Sequence, residues 1–275
     1  MKPFLAFLQG LDTDLRAGLQ AQLRVLWTHH STAIEGNSLT LGETDFVLGE
    51  GLTVAGKPLK DHQQVVGHAR AIDFLTAWLS QGRSLTEDDL FLLHRAIQTE
   101  VVIDIYQPVG AWKQEPNGAQ IVVDGRLIFN DAYAYPEDVP ALMADWLALL
   151  AGHRSGGLSQ EAALSAYTEL HAAFVRIHPF ADGNGRMARL LANIPVLEAG
   201  FPPLVIPRER RQEYLRTLAV WELRVGRPIT GSALLPESQA LAPFVALCRD
   251  AWQASSELVN EYRRRQAERD QVRKP

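Results

Sequence analysis

The sequence predicts an all-α fold, a bundle of helices that carries one short β-hairpin. Apolar residues recur three and four positions apart over most of the chain, which is the period of a helix that packs on a core. Only the stretch around 120–129 alternates in the manner of paired strands. The chain has 275 residues, of which 47% are hydrophobic, so it is long enough to bury a sizeable core.

The first long helix is predicted over about residues 13–35. Its apolar positions at helical spacing are Leu15, Leu19, Leu23 and Leu26. Asp12 or Thr13 would cap its start, and the residues 36–37, Gly-Asn, are typical of a helix end. Glu35 then lies at the carboxyl end, where the helix dipole disfavours a carboxylate. We therefore expect a cationic partner for Glu35.

Capping boxes mark two further helix starts. Thr40 with Glu43 opens one helix, and Ser84 with Glu87 opens another. A proline opens a helix over about 136–150, since proline is favoured in a first turn.

The strand pattern predicts a hairpin. The runs 120–123 and 126–129 are rich in β-branched and apolar residues, and they flank the dipeptide Asp124-Gly125. This dipeptide is typical of a type I′ turn. From the pattern alone, a surface hairpin without a binding role remains the alternative.

The most informative segment is HPFADGNGRMAR at 178–189. A helix before it, with apolar residues at helical spacing, would end at His178 because Pro179 follows. A second helix would run over about 186–200 and end at a glycine. The segment 182–185 is then a loop between two helices.

The loop has the composition of an anion-binding site. Gly183 and Gly185 would let successive backbone N–H groups turn inward, and the dipole of the following helix would add to the attraction. Arg186 and Arg189 stand three positions apart on one helix face, so both could reach phosphate oxygens.

Two further residues supply the remaining chemistry. Asp182 offers the oxygen ligand that Mg²⁺ takes together with substrate phosphates. His178 is the group in this segment able to accept a proton near neutral pH. Each residue alone has a commoner structural explanation, such as a turn, a cap or a solvated arginine. Their combination predicts a site that holds a nucleoside triphosphate with a metal and deprotonates a hydroxyl beside it.

The segment matches the hallmark HPFx[D/E]GNGRxxR of the Fic family at every fixed position, and the chain resembles that family over about residues 20–250. The resemblance implies a Fic-type helical bundle. It also implies transfer of AMP from ATP, with Mg²⁺, to a Ser, Thr or Tyr hydroxyl of a target protein.

The resemblance assigns a role to each residue of the motif. His178 is the general base, and Asp182 is the Mg²⁺ ligand. Gly183, Asn184 and Gly185 form the anion hole around the α- and β-phosphates.

The arginines are assigned in the same way. Arg186 binds the outer phosphates, and Arg189 receives the γ-phosphate or an inhibitory glutamate. Ser31, Glu35 and Gly36 match the family's inhibitory motif [S/T]xxxE[G/N], in surroundings similar to the catalytic core of animal members from the endoplasmic reticulum. Glu35 would pair with Arg189 in a buried, bidentate contact and block the γ-phosphate site.

The predicted hairpin is the family's flap, which docks a target segment by strand addition. The target-docking residues would be Gln120, Ile121, Val122 and Val123. Trp112 and Lys113 stand where the family commonly has an aromatic residue and an arginine, and the segment 116–118 lengthens the flap.

Composition limits the partners and the compartment. The net charge is −5, which gives no electrostatic reason to expect nucleic acid as a partner. A single cysteine, Cys248, precludes an internal disulfide, and it lies in an apolar run typical of a buried thiol. Neither a signal peptide nor an apolar run of membrane-spanning length is evident, so we expect no membrane contact and a cytoplasmic location.

Three segments are expected to form one compact unit. They are an N-terminal helical segment with the inhibitory motif at 1–60, a catalytic core at 61–250, and a C-terminal helix with a basic tail at 251–275. The last helix is predicted over about 240–265. The sequence leaves the oligomeric state open, and the resemblance makes a homodimer one candidate, because family members commonly dimerise.

Other histidines and aromatic residues are interpreted as core. His68, His94 and His171 lie on apolar helical faces and are expected to be core groups rather than ligands. Tyr214 and Trp221 could wall an adenine ring, but core packing is the preferred interpretation.

The leading hypothesis is an ATP-dependent protein adenylyltransferase that its own N-terminal helix inhibits. Two alternatives stay open. One is a deAMPylase that depends on Glu35, and the other is a nucleotide-sensing module without catalysis.

Overall fold

The computed structural model describes residues 4–99, 107–123, 125–154 and 157–273. Within them the fold is a helical bundle with one two-stranded antiparallel sheet, as predicted. The helices are α1 (Thr13–Ile34), α2 (Leu41–Glu50), α3 (Leu59–Ser80), α4 (Glu87–Ile97), α5 (Val139–His153), α6 (Gln160–Ile177), α7 (Asn184–Leu191), α8 (Ile194–Glu198), α9 (Arg211–Val225) and α10 (Ala242–Val272). The strands are β1 (Ala119–Val123) and β2 (Arg126–Asn130).

Helix α6 is the centre of the bundle. From Ala163 to Ile177 almost every side chain is buried, and the helix packs against α5, α7, α8 and α10. This burial explains its sequence, in which alanines alternate with large apolar residues so that neighbouring helices can approach closely. The helix ends at the motif 178–189, so a largely buried helix carries His178 at its end.

Helix α1 ends at Glu35 and brings this residue to the motif 178–189. It starts and ends as predicted, and Gly36 has a positive φ of 96°, which terminates the helix just beyond Glu35. The Arg211 guanidinium donates to the Ile34 carbonyl at 2.5 Å and satisfies one of the last carbonyls of α1. The end of α1, and with it Glu35, is therefore held in place by the turn at Gly36 and by the hydrogen bond from Arg211.

The predicted boundaries of α4 and α10 differ from the structure. The predicted capping box of Ser84 with Glu87 is wrong, because Thr86 caps α4 and pairs with Asp89. Both boxes fit the same four-residue pattern, and the Arg83 ion pair with Asp89 favours the later one. The other predicted box, Thr40 with Glu43, is confirmed. The last helix is longer than predicted and reaches Val272.

The single helix predicted over 186–200 is instead two short helices. Helix α7 ends at Leu191, and α8 starts at Ile194. Pro195 has no N–H to continue the hydrogen-bond ladder of α7. Asn193 fills the break, because its side chain bonds the Arg189 carbonyl and both backbone groups of Leu204.

The main core runs through residues from all parts of the described chain, from Phe7 near the start to Tyr262 in α10. A smaller cluster of Leu39, Val47 and Val65 joins α2 to α3. The division of the chain at 60 and 250 stays a prediction. Among the described residues, none of the helices combines the length and apolar character needed to cross a membrane.

Candidate active site

His178 stands at the C-cap of α6 in the left-handed region, with φ 54° and ψ 58°. For a residue with a side chain this conformation costs about 1 kcal/mol, and at a functional site such strain orients a group. The ring Nδ1 lies 3.0 Å from the Val175 carbonyl oxygen. Because a carbonyl only accepts, Nδ1 carries the proton and the neutral ring presents the lone pair of Nε2.

The environment keeps His178 neutral. Burial lowers the pKa of His178 to about 4, since it outweighs the backbone bond to Val175, which raises the pKa, and the positive charge of Lys113 lowers it further. At neutral pH the imidazole is therefore unprotonated, the form that a general base needs.

The motif loop is held by its own asparagine. The Asn184 side chain accepts from the Phe180 N–H at 2.9 Å and donates to the Phe180 carbonyl at 2.7 Å. Asn117, from the lengthened part of the flap, donates to the same carbonyl at 2.8 Å. Asn184 thus folds the loop, while Gly183, with φ 78°, turns the backbone into α7.

His94 supports the loop from α4. It accepts from the Gly110 N–H at Nδ1 and donates from Nε2 to the Asp182 carbonyl, and its ring stacks on Phe180 at 3.9 Å. Burial lowers the pKa of His94 to about 4, so the neutral tautomer with both bonds is retained. Its expected burial in the core is confirmed, and its polar atoms support the motif loop.

Asp182 is the most accessible charged group of the motif, with its side chain 67% exposed. Gln98 donates to its Oδ2 at 2.9 Å, and Arg186 lies 3.4 Å from the same oxygen. Partial desolvation raises the pKa of Asp182, but Arg186 and Gln98 outweigh it and hold the pKa below its usual range. An ionised carboxylate at the edge of the cavity suits Mg²⁺ that also binds phosphates.

Arg186 and Arg189 diverge rather than pointing in one direction. Arg186 is buried beneath the loop, where it donates to Gln98 at 2.7 Å and to the Ile97 carbonyl at 3.3 Å. Its Nε is buried and without a hydrogen-bond partner among the described residues. The two guanidiniums therefore contact different partners, and the expectation that both reach phosphate oxygens stays a prediction.

Arg189 is held by three groups. Its Nε and Nη2 donate to the Ser31 hydroxyl and carbonyl, at 3.1 and 2.8 Å. Its Nη1 donates to the Tyr214 hydroxyl at 3.1 Å, and Nη2 also donates to Glu35 Oε1 at 2.6 Å. Tyr214 in turn contacts His171 Nε2 at 3.1 Å.

The Glu35–Arg189 pair differs from the expected bidentate contact. Arg189 is 2% exposed but Glu35 is 36% exposed, and a single Glu35 oxygen accepts the hydrogen bond. The other arginine donors are taken by Ser31 and Tyr214. Glu35 therefore has the predicted cationic partner, in an arrangement that leaves part of its carboxylate facing the cavity.

Gly185 is needed for close approach rather than for a positive φ. It lies inside α7, and a Cβ added there would lie 2.6 Å from Glu35 Oε1 and 3.0 Å from Arg189 Nη1. Only a glycine allows the glutamate to cross the start of α7 at this distance.

The groups surround a cavity of about 250 Å³. Its polar end is formed by Glu35, His178 and the loop 182–185, and its apolar walls by residues of the flap and α9, among them Ile121, Tyr133, Leu215 and Leu218. Ligand sites for small molecules measure about 300–1,000 Å³, so the cavity with Glu35 in place is small for a nucleoside triphosphate.

The flap has the predicted strands, which pair from Ala119 with Asn130 to Val123 with Arg126. Asp124, at the turn, lies outside the described residues. Ile121 is buried against the cavity, whereas Gln120 and Val122 are exposed. A groove of about 480 Å³ separates β1 from the start of α9.

Trp112 and Lys113 form the base of the flap. Trp112 packs on Phe91 and Phe180, with centroids 4.6 and 5.1 Å away. Lys113 is buried and donates from Nζ to Asn117 at 2.7 Å. Burial lowers the pKa of Lys113 to about 7.

Four supporting residues were missed by the sequence analysis: Gln98, Asn117, Tyr133 and Glu222. Gln98 caps the end of α4 four positions after His94, and this spacing was a usable signal that both side chains lie on one side of the chain. Tyr133 and Glu222 carry no local signal, because only tertiary packing brings the segment after β2 and the end of α9 to the cavity. Tyr214 is buried as expected and also bonds Arg189, and Trp221 is buried in the core.

The comparisons with known proteins agree with this geometry. A family model described as Fic/DOC family matches residues 84–195. Protein adenylyltransferase fic-1 of Caenorhabditis briggsae is 34% identical over 207 residues, which cover 74% of this chain and 38% of that protein. Protein adenylyltransferase Fic of Drosophila mojavensis is 34% identical over 192 residues, 69% of this chain and 35% of that protein. The chain thus spans less than two fifths of the length of these curated relatives.

Solved structures give the same result. A Fic domain containing signalling protein from Bacteroides thetaiotaomicron has a TM-score of 0.77 at 27% identity, covering 93% of this chain and 92% of that one. Fic-1 from Caenorhabditis elegans has a TM-score of 0.69 at 26% identity, covering 93% of this chain and 68% of that one. This chain carries a Fic/DOC family domain with the helical fold of that family.

Proposed function

We propose that this chain is a protein adenylyltransferase that transfers AMP from ATP to a hydroxyl side chain of a target protein. The single observation that carries the proposal is the neutral His178, whose Nε2 lone pair faces a cavity bounded by the motif loop. Curated relatives at 34% identity are named protein adenylyltransferases, which supports the same reaction.

Each residue of the site has a separate role in the proposed reaction. His178 Nε2 removes the proton from the target hydroxyl, and that oxygen attacks the α-phosphorus as pyrophosphate leaves. The N–H groups at the start of α7 and the buried Arg186 stabilise charge on the phosphates. Asp182 would hold Mg²⁺ together with the phosphates, and the bound ion would neutralise charge on the leaving pyrophosphate.

We propose that Glu35 inhibits the enzyme. Its contact with Arg189 occupies the guanidinium that would otherwise receive the γ-phosphate, and its carboxylate narrows the cavity. ATP must displace it, because two anions cannot share one arginine at this distance without repulsion.

The flap is the proposed docking site for the target. The exposed side chains of Val122, Leu127 and Phe129 give the hairpin an apolar surface on the face opposite to Ile121, which lines the cavity. An extended target segment can add to such a hairpin through backbone hydrogen bonds, with its hydroxyl residue directed toward His178.

The experiment is incubation of the protein with Mg²⁺ and ATP labelled at the α-phosphate, with and without a cell lysate. We expect Glu35→Gly to give at least tenfold more labelled protein than the unmodified chain, and Glu35→Gly with His178→Ala to give none. Glu198→Gly is the matched control, because it removes a carboxylate paired with Arg154 at the end of α8, outside the cavity. Absence of label in a folded, ATP-binding Glu35→Gly protein would reject the proposal.

A second candidate is removal of AMP from a modified target, dependent on Glu35. One observation favours it: Glu35 and His178 line the same cavity, and the Glu35 carboxylate is partly exposed there. It could orient a water for attack on the AMP phosphorus. Release of AMP from a modified target by the unmodified chain, lost in Glu35→Gly, would support it, and a nucleotide sensor would bind ATP but do neither reaction.

A further inference from the structure

Tyr133 lies flat against the catalytic histidine. The ring centroids of Tyr133 and His178 are 3.8 Å apart and their planes differ by 14°. Tyr133 is 5% exposed and lines the cavity. The contact covers one face of the imidazole and shields that face from water.

The backbone bond of His178 does not by itself fix the ring. The hydrogen bond to Val175 holds Nδ1, but the imidazole could still rotate about that contact. The direction of Nε2, on the opposite side of the ring, depends on a second constraint. The ring of Tyr133 supplies this second constraint, because its flat surface contacts the imidazole of His178 and defines the plane of that imidazole.

Tyr133 is itself anchored. It follows β2 by three residues, and Asn130 at the end of β2 is fully buried. Asn130 accepts from the Ala132 N–H at 3.1 Å and donates to Glu222 at 2.6 Å. Burial raises the pKa of Glu222 to about 8, so this link joins neutral groups at neutral pH. The segment that carries Tyr133 is thereby fixed to α9.

We infer that Tyr133 is a positioning residue for His178, which sets the plane of the imidazole so that Nε2 points at the reacting hydroxyl and which excludes water from one ring face. The inference rests on the proposed function, since that function gives His178 the proton transfer. The aromatic ring makes the contact with His178, and the hydroxyl, which interacts with Asn130, helps to anchor that ring.

Two consequences follow. A misdirected Nε2 slows the chemical step while leaving nucleotide binding in place, and a displacement of about 1 Å can cost up to ~100-fold in rate. Water at the exposed ring face stabilises the imidazolium, so the pKa of His178 rises from about 4 toward its ordinary value.

The kinetic test uses Glu35→Gly as the parent. Tyr133→Leu is expected to lower kcat by about 10- to 100-fold with the KM for ATP changed less than about twofold, and to move the acid limb of kcat/KM to higher pH. Tyr133→Phe, which keeps the ring but loses the interaction with Asn130, should retain most of the parent's kcat. Tyr135→Leu is the control, because Tyr135 lies two residues on and packs on Arg227 at 3.8 Å, outside the cavity.

Two kinetic results would overturn the inference. Parent-like kcat and acid limb in Tyr133→Leu would exclude a positioning role, and an equal loss in Tyr133→Phe would exclude the ring as its cause. Tyr133→Met is made in parallel, because its flexible side chain fills the space without a flat face. A folding failure of the leucine variant then leaves the test intact.

A second measurement does not need activity. The ring nitrogens of His178 are titrated by NMR with ¹⁵N-labelled protein, and the spectrum of His178→Ala identifies its signals. Lys113, Asp182 and Glu35 also act on the pKa of His178, and each variant is compared with its own parent. We expect the pKa to rise in Tyr133→Leu and to stay unchanged in Tyr133→Phe. An unchanged titration in a folded Tyr133→Leu overturns the inference, whereas an inactive Glu35→Gly parent rejects only the proposed function.

Discussion

At Gly185 the missing side chain leaves the space in which Glu35 reaches Arg189. Because of the close approach of the Glu35 carboxylate, rather than the backbone conformation, the Glu35 side chain would have to shift to admit a larger residue at position 185. Gly185 also lines the cavity, so this position would serve both the proposed inhibitory contact of Glu35 and, in the proposed reaction, the phosphates.

A double-mutant cycle tests this contact. Gly185→Ala should lower the free energy of unfolding by about 1–2 kcal/mol, because the Cβ overpacks against Glu35. In the Glu35→Gly background the cost should fall, since the nearest atom is gone. Urea unfolding of the four proteins measures both costs. Equal costs in the two backgrounds would show that Glu35 is not the obstacle.

Glu222 gives a prediction about pH. In the folded protein, burial raises the pKa of Glu222 to about 8, so its carboxyl keeps the proton up to about that pH, whereas in the unfolded chain the carboxyl releases it near its ordinary pKa of 4.5. The stability that this group contributes is therefore complete below about 4.5 and is lost as the pH rises through about 8.

The difference between the unmodified protein and Glu222→Gln isolates this contribution, because histidines with lowered pKa values change stability in the opposite direction. We expect the unmodified protein to lose free energy of unfolding, relative to Glu222→Gln, between pH 5 and pH 8.5. Urea titrations at three pH values in this range measure it. A constant difference would mean that Glu222 is ionised in the folded protein.

At the scale of elements, the break between α7 and α8 sets the direction of the chain behind the motif. Asn193 replaces the missing helical bonds at this break with three side-chain bonds, to the Arg189 carbonyl and to both backbone groups of Leu204. A continuous helix would carry the segment 194–206 in a different direction. The end of α7, which carries Arg189, would then lose the hydrogen bond from the Asn193 side chain.

Asn193→Ala should lower the free energy of unfolding by about 2–3 kcal/mol, because it leaves the Leu204 N–H and two carbonyls buried without partners. The control is Asn260→Ala, in the exposed surface of α10, which should change little. Chemical unfolding compares the two. A loss below about 0.5 kcal/mol for Asn193→Ala would indicate that water replaces the side chain.

At the scale of the whole molecule, α1 near the start of the chain packs against α10 near its end. Tyr262 in α10 is buried against Gly18 of α1, where a Cβ would lie 3.0 Å from its hydroxyl. Arg269 forms an ion pair with Asp14 nearby, but both groups are largely exposed. Apolar burial, rather than these charges, should hold the two helices together.

Tyr262→Ala should therefore lower the free energy of unfolding by about 3 kcal/mol. Arg269→Ala should leave the melting temperature unchanged within error. Because one core includes residues from both ends, unfolding should be a single transition by circular dichroism and by tryptophan fluorescence. Two separated transitions would support an independent N-terminal or C-terminal unit.

The sequence by itself determined the all-α plan, the hairpin and the identity of the motif groups. Helical periodicity and turn chemistry act over a few residues, so α1, the Thr40 capping box and the Asp124-Gly125 hairpin could be predicted. The motif 178–189 predicts a base, an anion site and a metal ligand because those residues are adjacent in the chain, and these roles stay predictions. The location of Glu35 at a helix end correctly implied a cationic partner.

Only the tertiary structure decided how these groups meet. The arginines diverge because α7 is buried on two sides, and Gly185 is required by a glutamate 150 positions earlier in the chain. Tyr133 reaches His178 through a strand end that Glu222 anchors from α9, a contact between distant segments. Such contacts depend on the packing of whole helices, which local sequence patterns do not encode.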